Sequence, residues 1–186
     1  MNSVSENLKP ASILVLVTLV FLASTIQDAL SKETAKFVGN NESAHHGLPL
    51  EWNGDQVICV LYPPDHPHAE FNYGVTMIDS DGTTLGVNEN YNGTGACIGG
   101  FEGYSEGFEF MMDAARAAGD RLAVGYEVGE GGPFVHTIGG LNANQVIGDF
   151  NGAYWSLGHN GEMSMVGIGD LVLSEGDVIL WSIGTW

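Results

Sequence analysis

Four of the six histidines fall close together, as His45-His46 and as His66-Pro67-His68. Neutral imidazole ligates zinc, copper and nickel well, so His45, His46, His66 and His68 have the clearest capacity in the chain to hold a metal. Their setting favours a plainer reading. His66 and His68 flank a proline just after Pro63-Pro64, His45 and His46 lie in a polar stretch, and a structural zinc site shows more regular spacing. Loop histidines are the favoured assignment, with metal as the alternative. Asp79 and Asp81, with Asn88 and Glu89, offer hard oxygen ligands for calcium. Gly82 comes too early for an EF-hand loop, which places its glycine sixth, so Asp79-Ser80-Asp81-Gly82 reads as a hairpin turn. No serine is assigned as a nucleophile, the acids form no paired motif on a recognisable scaffold, and the 27 glycines make no phosphate-binding loop. The expectation is a protein that is not an enzyme and has no cofactor of its own.

Cys59 and Cys97 are the only cysteines. Both lie beyond an N-terminal apolar run, and an even count in an oxidising compartment points to one structural disulfide. Closing so long a loop stabilises by about 4 kcal/mol on the chain-entropy model. Asn41-Glu42-Ser43 and Asn92-Gly93-Thr94 are glycosylation sequons, which makes Asn41 and Asn92 candidate acceptors on exported surface segments.

That N-terminal run, Ala11 to Ile26, is preceded by Lys9 and followed by Ala29-Leu30-Ser31, a small-x-small cleavage pattern. It is shorter than the ~20 residues needed to span a bilayer, so residues 1–31 read as a secretory signal, with an uncleaved N-terminal anchor as the alternative. Residues 32–54 are polar and aperiodic and read as a tether, and 55–186 as one folded domain. The expected location is secreted or at the cell surface. The chain carries a formal charge of −18, with five lysines and arginines against 23 acids. Such a surface has no footprint for nucleic acid or for an anionic membrane. It reads as an acidic, solubilising exterior.

The elements that must position these residues follow from hydrophobic period. Gln56–Tyr62 is β-branched and apolar and stops at Pro63-Pro64; Tyr73–Ile78 and Thr83–Val87 flank the Asp79–Gly82 turn. Ser105–Gly119 is the one convincing helix. Ser105 is placed to cap its N-terminus, Gly119 to take the left-handed position after its C-terminus, and Phe108, Met111, Met112, Ala115 and Ala118 form an apolar stripe. Leu122–Val128 and Phe134–Ile138 read as further strands. In the last third, Ala153 to Glu162, Met163 to Ile168 and Asp177 to Ile183 read as three strands, the first two joined by Asn160-Gly161, a type I′ hairpin signal. Asp177–Ile183 is apolar on both alternating sets, so it is expected to be central or to meet a partner.

The tyrosine-tryptophan pair Tyr154-Trp155, the Asn160-Gly161-Glu162 turn, Val166-Gly167-Ile168-Gly169-Asp170 and Gly176-Asp177-Val178-Ile179 together resemble the C-terminal β-domain of transcobalamin and intrinsic factor. That family includes many surface proteins of unknown function. The resemblance is strong from about Ala153 to Trp181 and extends to Phe101. It implies an α+β, β-grasp (ubiquitin-like) fold, a mixed sheet with one helix across it, here with an additional β-hairpin. It also implies a binding or interaction module for an unknown small molecule or protein partner, with Tyr154, Trp155 and Leu157 on the ligand side. Strand alternation sends Tyr154 and Trp155 to opposite faces, with Trp155 the better core candidate. The resemblance brings cobalamin into view as a ligand, giving a corrinoid or other small-molecule carrier as one rival. The family's separate helical domain, which encloses the ligand, has no counterpart here. A second rival is a self-assembling homo-oligomer that pairs edge strands through the apolar stretch Trp181 to Trp186.

Overall fold

The computed structural model describes residues 44–186. Contacts divide the chain into the units Met1–Lys36 and Phe37–Trp186, and the described residues all belong to the second. The signal segment 1–31, the tether up to residue 43 and the sequon residue Asn41 lie outside the described residues.

The fold is α+β. Among the described residues ten strands form in chain order: β1 (Gln56–Tyr62), β2 (Gly74–Asp79), β3 (Thr84–Asn88), β4 (Thr94–Phe101), β5 (Val124–Gly129), β6 (Gly132–Ile138), β7 (Leu141–Asn142), β8 (Ala153–His159), β9 (Glu162–Met163) and β10 (Val178–Thr185). One α-helix, α1 (Gly107–Ala117), forms among the described residues. Seven strands make a mixed sheet in the order β3-β2-β4-β1-β10-β8-β9, and β5-β6-β7 make a small antiparallel sheet. The first and last strands, β1 and β10, lie side by side and parallel in the middle of the large sheet, with β4 and β8 antiparallel to them on either flank. The β2–β3 hairpin extends the sheet beyond β4, β2 running parallel to β4.

Strand β1 is buried at every position because both of its alternating sets are apolar. Ile58, Val60 and Tyr62 join the larger core with Phe110, Met111, Val135, Ile138 and Trp155, so α1 and the small sheet cover the same face. Val57, Cys59 and Leu61 face the other way, with Cys97, Val75, Met77 and Trp52. Trp52, placed in the tether by the sequence reading, is 1% exposed and belongs to that second core. Gly99 makes room for it, since a Cβ there would overlap the indole.

Three local expectations change. The N-cap of α1 is Glu106 rather than Ser105, and no side chain caps it. A strand-like bridge does that work instead: the Gly107 N–H donates to the Leu171 carbonyl and the Leu173 N–H to the Ser105 carbonyl. The buried stripe runs through Gly107, Phe110, Met111, Ala114 and Ala118, displaced from the expected one, with Phe108 turned toward Tyr126 at a ring separation of 4.8 Å. Gly119, at φ +69°, ends the helix as expected. Finally, the strand expected at Met163–Ile168 shrinks to Glu162–Met163, because the chain then turns back to bridge the start of α1.

Candidate functional site

The terminal hairpin and last strand build a surface with two unlike faces. Antiparallel pairing of β8 with β10 sets Leu157 opposite Trp181, Trp155 opposite Ile183 and Tyr154 opposite Gly184. Alternation then sends Trp155, Leu157, Trp181 and Ile183 toward α1 and the small sheet. Trp155 is 5% exposed, stands edge-on to Tyr62 at 5.7 Å and donates from Nε1 to the Leu141 carbonyl at 3.1 Å. Leu157 packs partly buried against the same core. Of the three residues expected on a ligand side, these two therefore face the core and only Tyr154 faces outward.

The outer face pairs Leu180 with Gly158, Ser182 with Ser156, Gly184 with Tyr154 and, through the backbone, Trp186 with Gly152. The Tyr154 ring lies over Gly184: a Cβ on that glycine would sit 2.7 Å from Tyr154 Cζ. Trp186 lies over Gly152 in the same manner, and a Cβ there would overlap its indole. The Trp186 backbone is held at both groups, its N–H donating to the Gly152 carbonyl at 3.1 Å and its carbonyl accepting from the Asn151 N–H at 2.7 Å. The two rings are neighbours, 5.7 Å between centroids and tilted by 44°. Trp186 is 62% exposed, while Ser156 and Ser182 are half-buried beside it. Two glycines opposite two aromatic side chains thus produce a ring-paved patch on the sheet surface. Trp186, Gly152 and Gly184 are not legible as a group in the sequence, because only the β8–β10 register brings them together.

At the other end of these strands a polar clamp fixes the geometry. Asn160 sits at φ +51° and Gly161 at φ +83°, the left-handed pair that the Asn-Gly turn requires. The Asn160 amide donates to Asp177 Oδ1 at 2.7 Å and its carbonyl oxygen accepts from the Val178 N–H at 2.8 Å. Asp177 Oδ2 accepts from the Ser174 N–H at 2.8 Å and lies 2.9 Å from His159 Nε2. Burial pushes the Asp177 carboxyl up, but the hydrogen bonds from Asn160, Ser174 and His159 outweigh it and hold the group below the ordinary carboxylate value.

The four clustered histidines are placed at opposite ends of β1. His45 Nε2 is 2.9 Å from the Gly176 carbonyl oxygen, beside the turn that enters β10. His68 lies at the far end, its ring 5.0 Å from Tyr62 and 4.4 Å from Phe71, with Nε2 against the Arg121 carbonyl at 2.8 Å and Nδ1 accepting from the Glu70 N–H. That pattern fits the neutral ring, and burial lowers its pKa despite the Arg121 carbonyl. His66 approaches Asp65 at 3.3 Å and His46 is exposed. Among the described residues no three His, Cys, Asp or Glu side chains are grouped as a metal site would need.

The Asp79–Gly82 segment is the turn expected: Asp81 Oδ1 accepts from the Thr83 N–H and Asp79 Oδ1 from the Trp52 indole. Cys59 and Cys97 form a disulfide between directly paired positions of β1 and β4. Asn92 is exposed in the β3–β4 loop and accepts from the Tyr73 hydroxyl. Among the described residues no helix is long and apolar enough to cross a membrane. One motif escaped the sequence reading. Gly103-Tyr104-Ser105-Glu106-Gly107 has the G-x-S-x-G spacing of a nucleophile elbow and stands between β4 and α1. An elbow serine sits on a strained turn, whereas Asn160 is the only described non-glycine residue with positive φ. Here Gln56 holds the Tyr104 backbone at both its N–H and its carbonyl, and Ser105 lies in the bridge to Leu173. The segment is a strand-like lead into the helix.

No curated protein matches the chain. Among solved structures it is similar to a candidate metal-binding protein from Ruminococcus gnavus ATCC 29149, at 16% identity and a TM-score of 0.39, over 71% of this chain and 99% of that one. It is also similar to haptocorrin in complex with Cbi, at 23% identity and a TM-score of 0.36, over 68% of this chain and 25% of haptocorrin. Residues 109–185, from α1 through β10, match the profile of a domain of unknown function, DUF4430, and the resemblance of the chain is to that family.

Proposed function

We propose that the chain is an exported, non-enzymatic binding module on a β-grasp scaffold, and that its ligand surface is the outer face of β8 and β10 around Tyr154 and Trp186. The observation that carries this reading is the laying of both rings over glycines, which leaves Trp186 62% exposed where burial against the core was available to its neighbours on β10. A large aromatic side chain left 62% exposed forgoes part of the about 1.5–3 kcal/mol that full burial contributes unless something covers it. The disulfide supports export, since such bonds persist in oxidising compartments. A saturation-transfer NMR screen of ring-bearing fragments tests it. Hits that vanish in Tyr154→Ala and Trp186→Ala, with circular dichroism unchanged, are expected. No fragment sensitive to either substitution would refute the assignment. Equilibrium dialysis against cyanocobalamin decides the corrinoid reading at the same surface.

A second reading has its own observation. The C-terminal strand β10 lies inside the sheet, paired with β1 over Val178–Trp181 and with β8 over Ile179–Thr185. Strand β3 is an edge strand instead, and it exposes Leu85 (41%) and Val87 (36%). Long exposed edges template strand addition. Size-exclusion chromatography over a concentration series, comparing the native chain with Val87→Lys, distinguishes pairing at this edge from a monomer.

A further inference from the structure

We infer that the Tyr154–Trp186 patch takes a neutral carbohydrate, stacking a pyranose ring on its paired aromatic faces. The inference rests on the assignment of this surface as the ligand surface and adds the class of ligand. Aromatic rings carry a negative face, and the C–H bonds on one side of a pyranose present a weakly positive, apolar plane to it. What distinguishes this patch from other aromatic sites is its shape and its neighbours. Gly152 and Gly184 let the two rings sit close over the strands, 5.7 Å apart and tilted by 44° to each other. Beside them Ser156 and Ser182 face each other across β8 and β10 on the same side of the sheet, supplying hydroxyls within the same patch. A sugar needs that combination: an apolar plane for its C–H face and donors and acceptors at the edge for its hydroxyls.

Other ring-binding chemistries fit less well. A quaternary ammonium ion is recognised by a cage of aromatic faces around the cation, whereas this patch is one-sided. A nucleotide brings phosphates, and an acidic polysaccharide brings carboxylates or sulfates. Both meet a chain of formal charge −18 whose described part carries only Arg116 and Arg121 as fixed cations. Arg116 is paired with Asp113, and Arg121 lies over the Phe71 ring at 5.4 Å and donates to the Ala118 carbonyl, so neither serves the patch. The long-range field therefore disfavours anionic ligands and leaves neutral ones unaffected.

The tryptophans supply the readout. Trp52, Trp155 and Trp181 are 1%, 5% and 3% exposed, while Trp186 is 62% exposed, so a neutral quencher such as acrylamide reports on Trp186. The full chain is titrated with chitohexaose, cellohexaose and xylohexaose, with a heparin hexasaccharide and tetramethylammonium as contrasting probes. At least one neutral hexaose is expected to lower the quenching slope about twofold or more, because ligand sites cover most of what they contact. Tyr154→Ala should abolish that protection while leaving the Trp186 signal in place. Trp186→Ala should remove most of the quenchable emission. Should Tyr154→Ala fail to fold, Ser156→Ala with Ser182→Ala serves in its place and should weaken hexaose binding without changing quenching of the free protein. Protection by heparin hexasaccharide or tetramethylammonium in preference to every neutral hexaose would overturn the inference. So would an absence of protection by the hexaoses while fragment hits at Tyr154 and Trp186 persist, and then the surface assignment stands without the sugar. If neither fragments nor sugars respond to these substitutions, the surface assignment fails with it.

Discussion

Replacing Asp177 by alanine removes the one side chain that ties the Asn160 turn, the Ser174 loop and β10 together. The carboxylate is 8% exposed and accepts from Asn160 Nδ2 at 2.7 Å and from the Ser174 N–H at 2.8 Å, with His159 Nε2 at 2.9 Å. A hydrogen bond to a charged group contributes about 1.5–3 kcal/mol, and three that share one acceptor group do not add fully, so a loss of about 3–5 kcal/mol is expected at pH 7. That corresponds to a fall of about 10 °C in melting temperature for a domain of this size. The pH dependence provides an independent sign. The folded pKa of Asp177 lies below its ordinary 3.8, so its contribution is complete above that value and is lost as pH falls through the folded pKa. Urea unfolding of the native chain and of Asp177→Ala should therefore differ most near neutrality, and the difference should narrow as pH falls through the folded pKa of Asp177. Asn160→Gly gives a second point. It keeps a residue at ease with positive φ and removes only the side-chain amide's contacts with Asp177, Val178 and His159, so it should cost clearly less than Asp177→Ala. A difference under about 1 kcal/mol at pH 7, or one that does not narrow at all in acid, would show that the clamp does not hold the strand.

Three further substitutions test other parts of the fold. Cys59→Ser with Cys97→Ser removes a cross-strand link closing 38 residues and should lower unfolding free energy by about 4 kcal/mol, read from denaturant midpoints with and without reductant. Burial lowers the pKa of His68 below 6.5, so its neutral form stabilises the fold above that pH and the contribution is lost as pH falls from 6.5 through the folded pKa; His68→Gln should flatten the stability profile just below pH 6.5. The Tyr62 hydroxyl is buried without a hydrogen-bond partner among the described residues, and burial pushes its pKa up, so Tyr62→Phe should be neutral or stabilising in a thermal melt. A loss above about 2 kcal/mol in that variant would mean the hydroxyl has a partner.

The elements legible in the sequence are those with an unambiguous local signal. β1 matched its expected span because β-branched residues run up to Pro63-Pro64, and the Asn160-Gly161 turn formed because few other pairs tolerate two left-handed residues. The helix was legible in existence and at its glycine end but not at its start. There the cap comes from backbone groups of Leu171 and Leu173, distant in sequence, and no local rule could supply them. The Met163–Ile168 strand failed for a related reason: a short apolar run has no period of its own, and the pull of the bridge to Glu106 decided its path. The histidines show the limit for sites. Their nearness in sequence spans the whole length of β1 in space, so spacing that suggested a cluster delivers two separate ends.

The outward face was the least legible part, and its cause is register. Alternation says that Tyr154 and Trp155 part company, and Trp155 is the core member as expected, but alternation alone does not say which one goes inside. A slip of β8 by one residue would bring Tyr154, Ser156 and Gly158 under α1 and push Trp155 and Leu157 into water. What opposes the slip is the pairing of each aromatic ring with a glycine on the neighbouring strand, Tyr154 on Gly184 and Trp186 on Gly152, where any other partner would hold the ring off the sheet. The clamp at Asp177 fixes the same register from the other end, through Asn160 and Val178. The glycines that lay the patch flat therefore also choose which residues form the core. Filling Gly184 should disturb the binding surface first, since the atom met is the mobile end of a tyrosine. Loosening the clamp should instead threaten surface and core together.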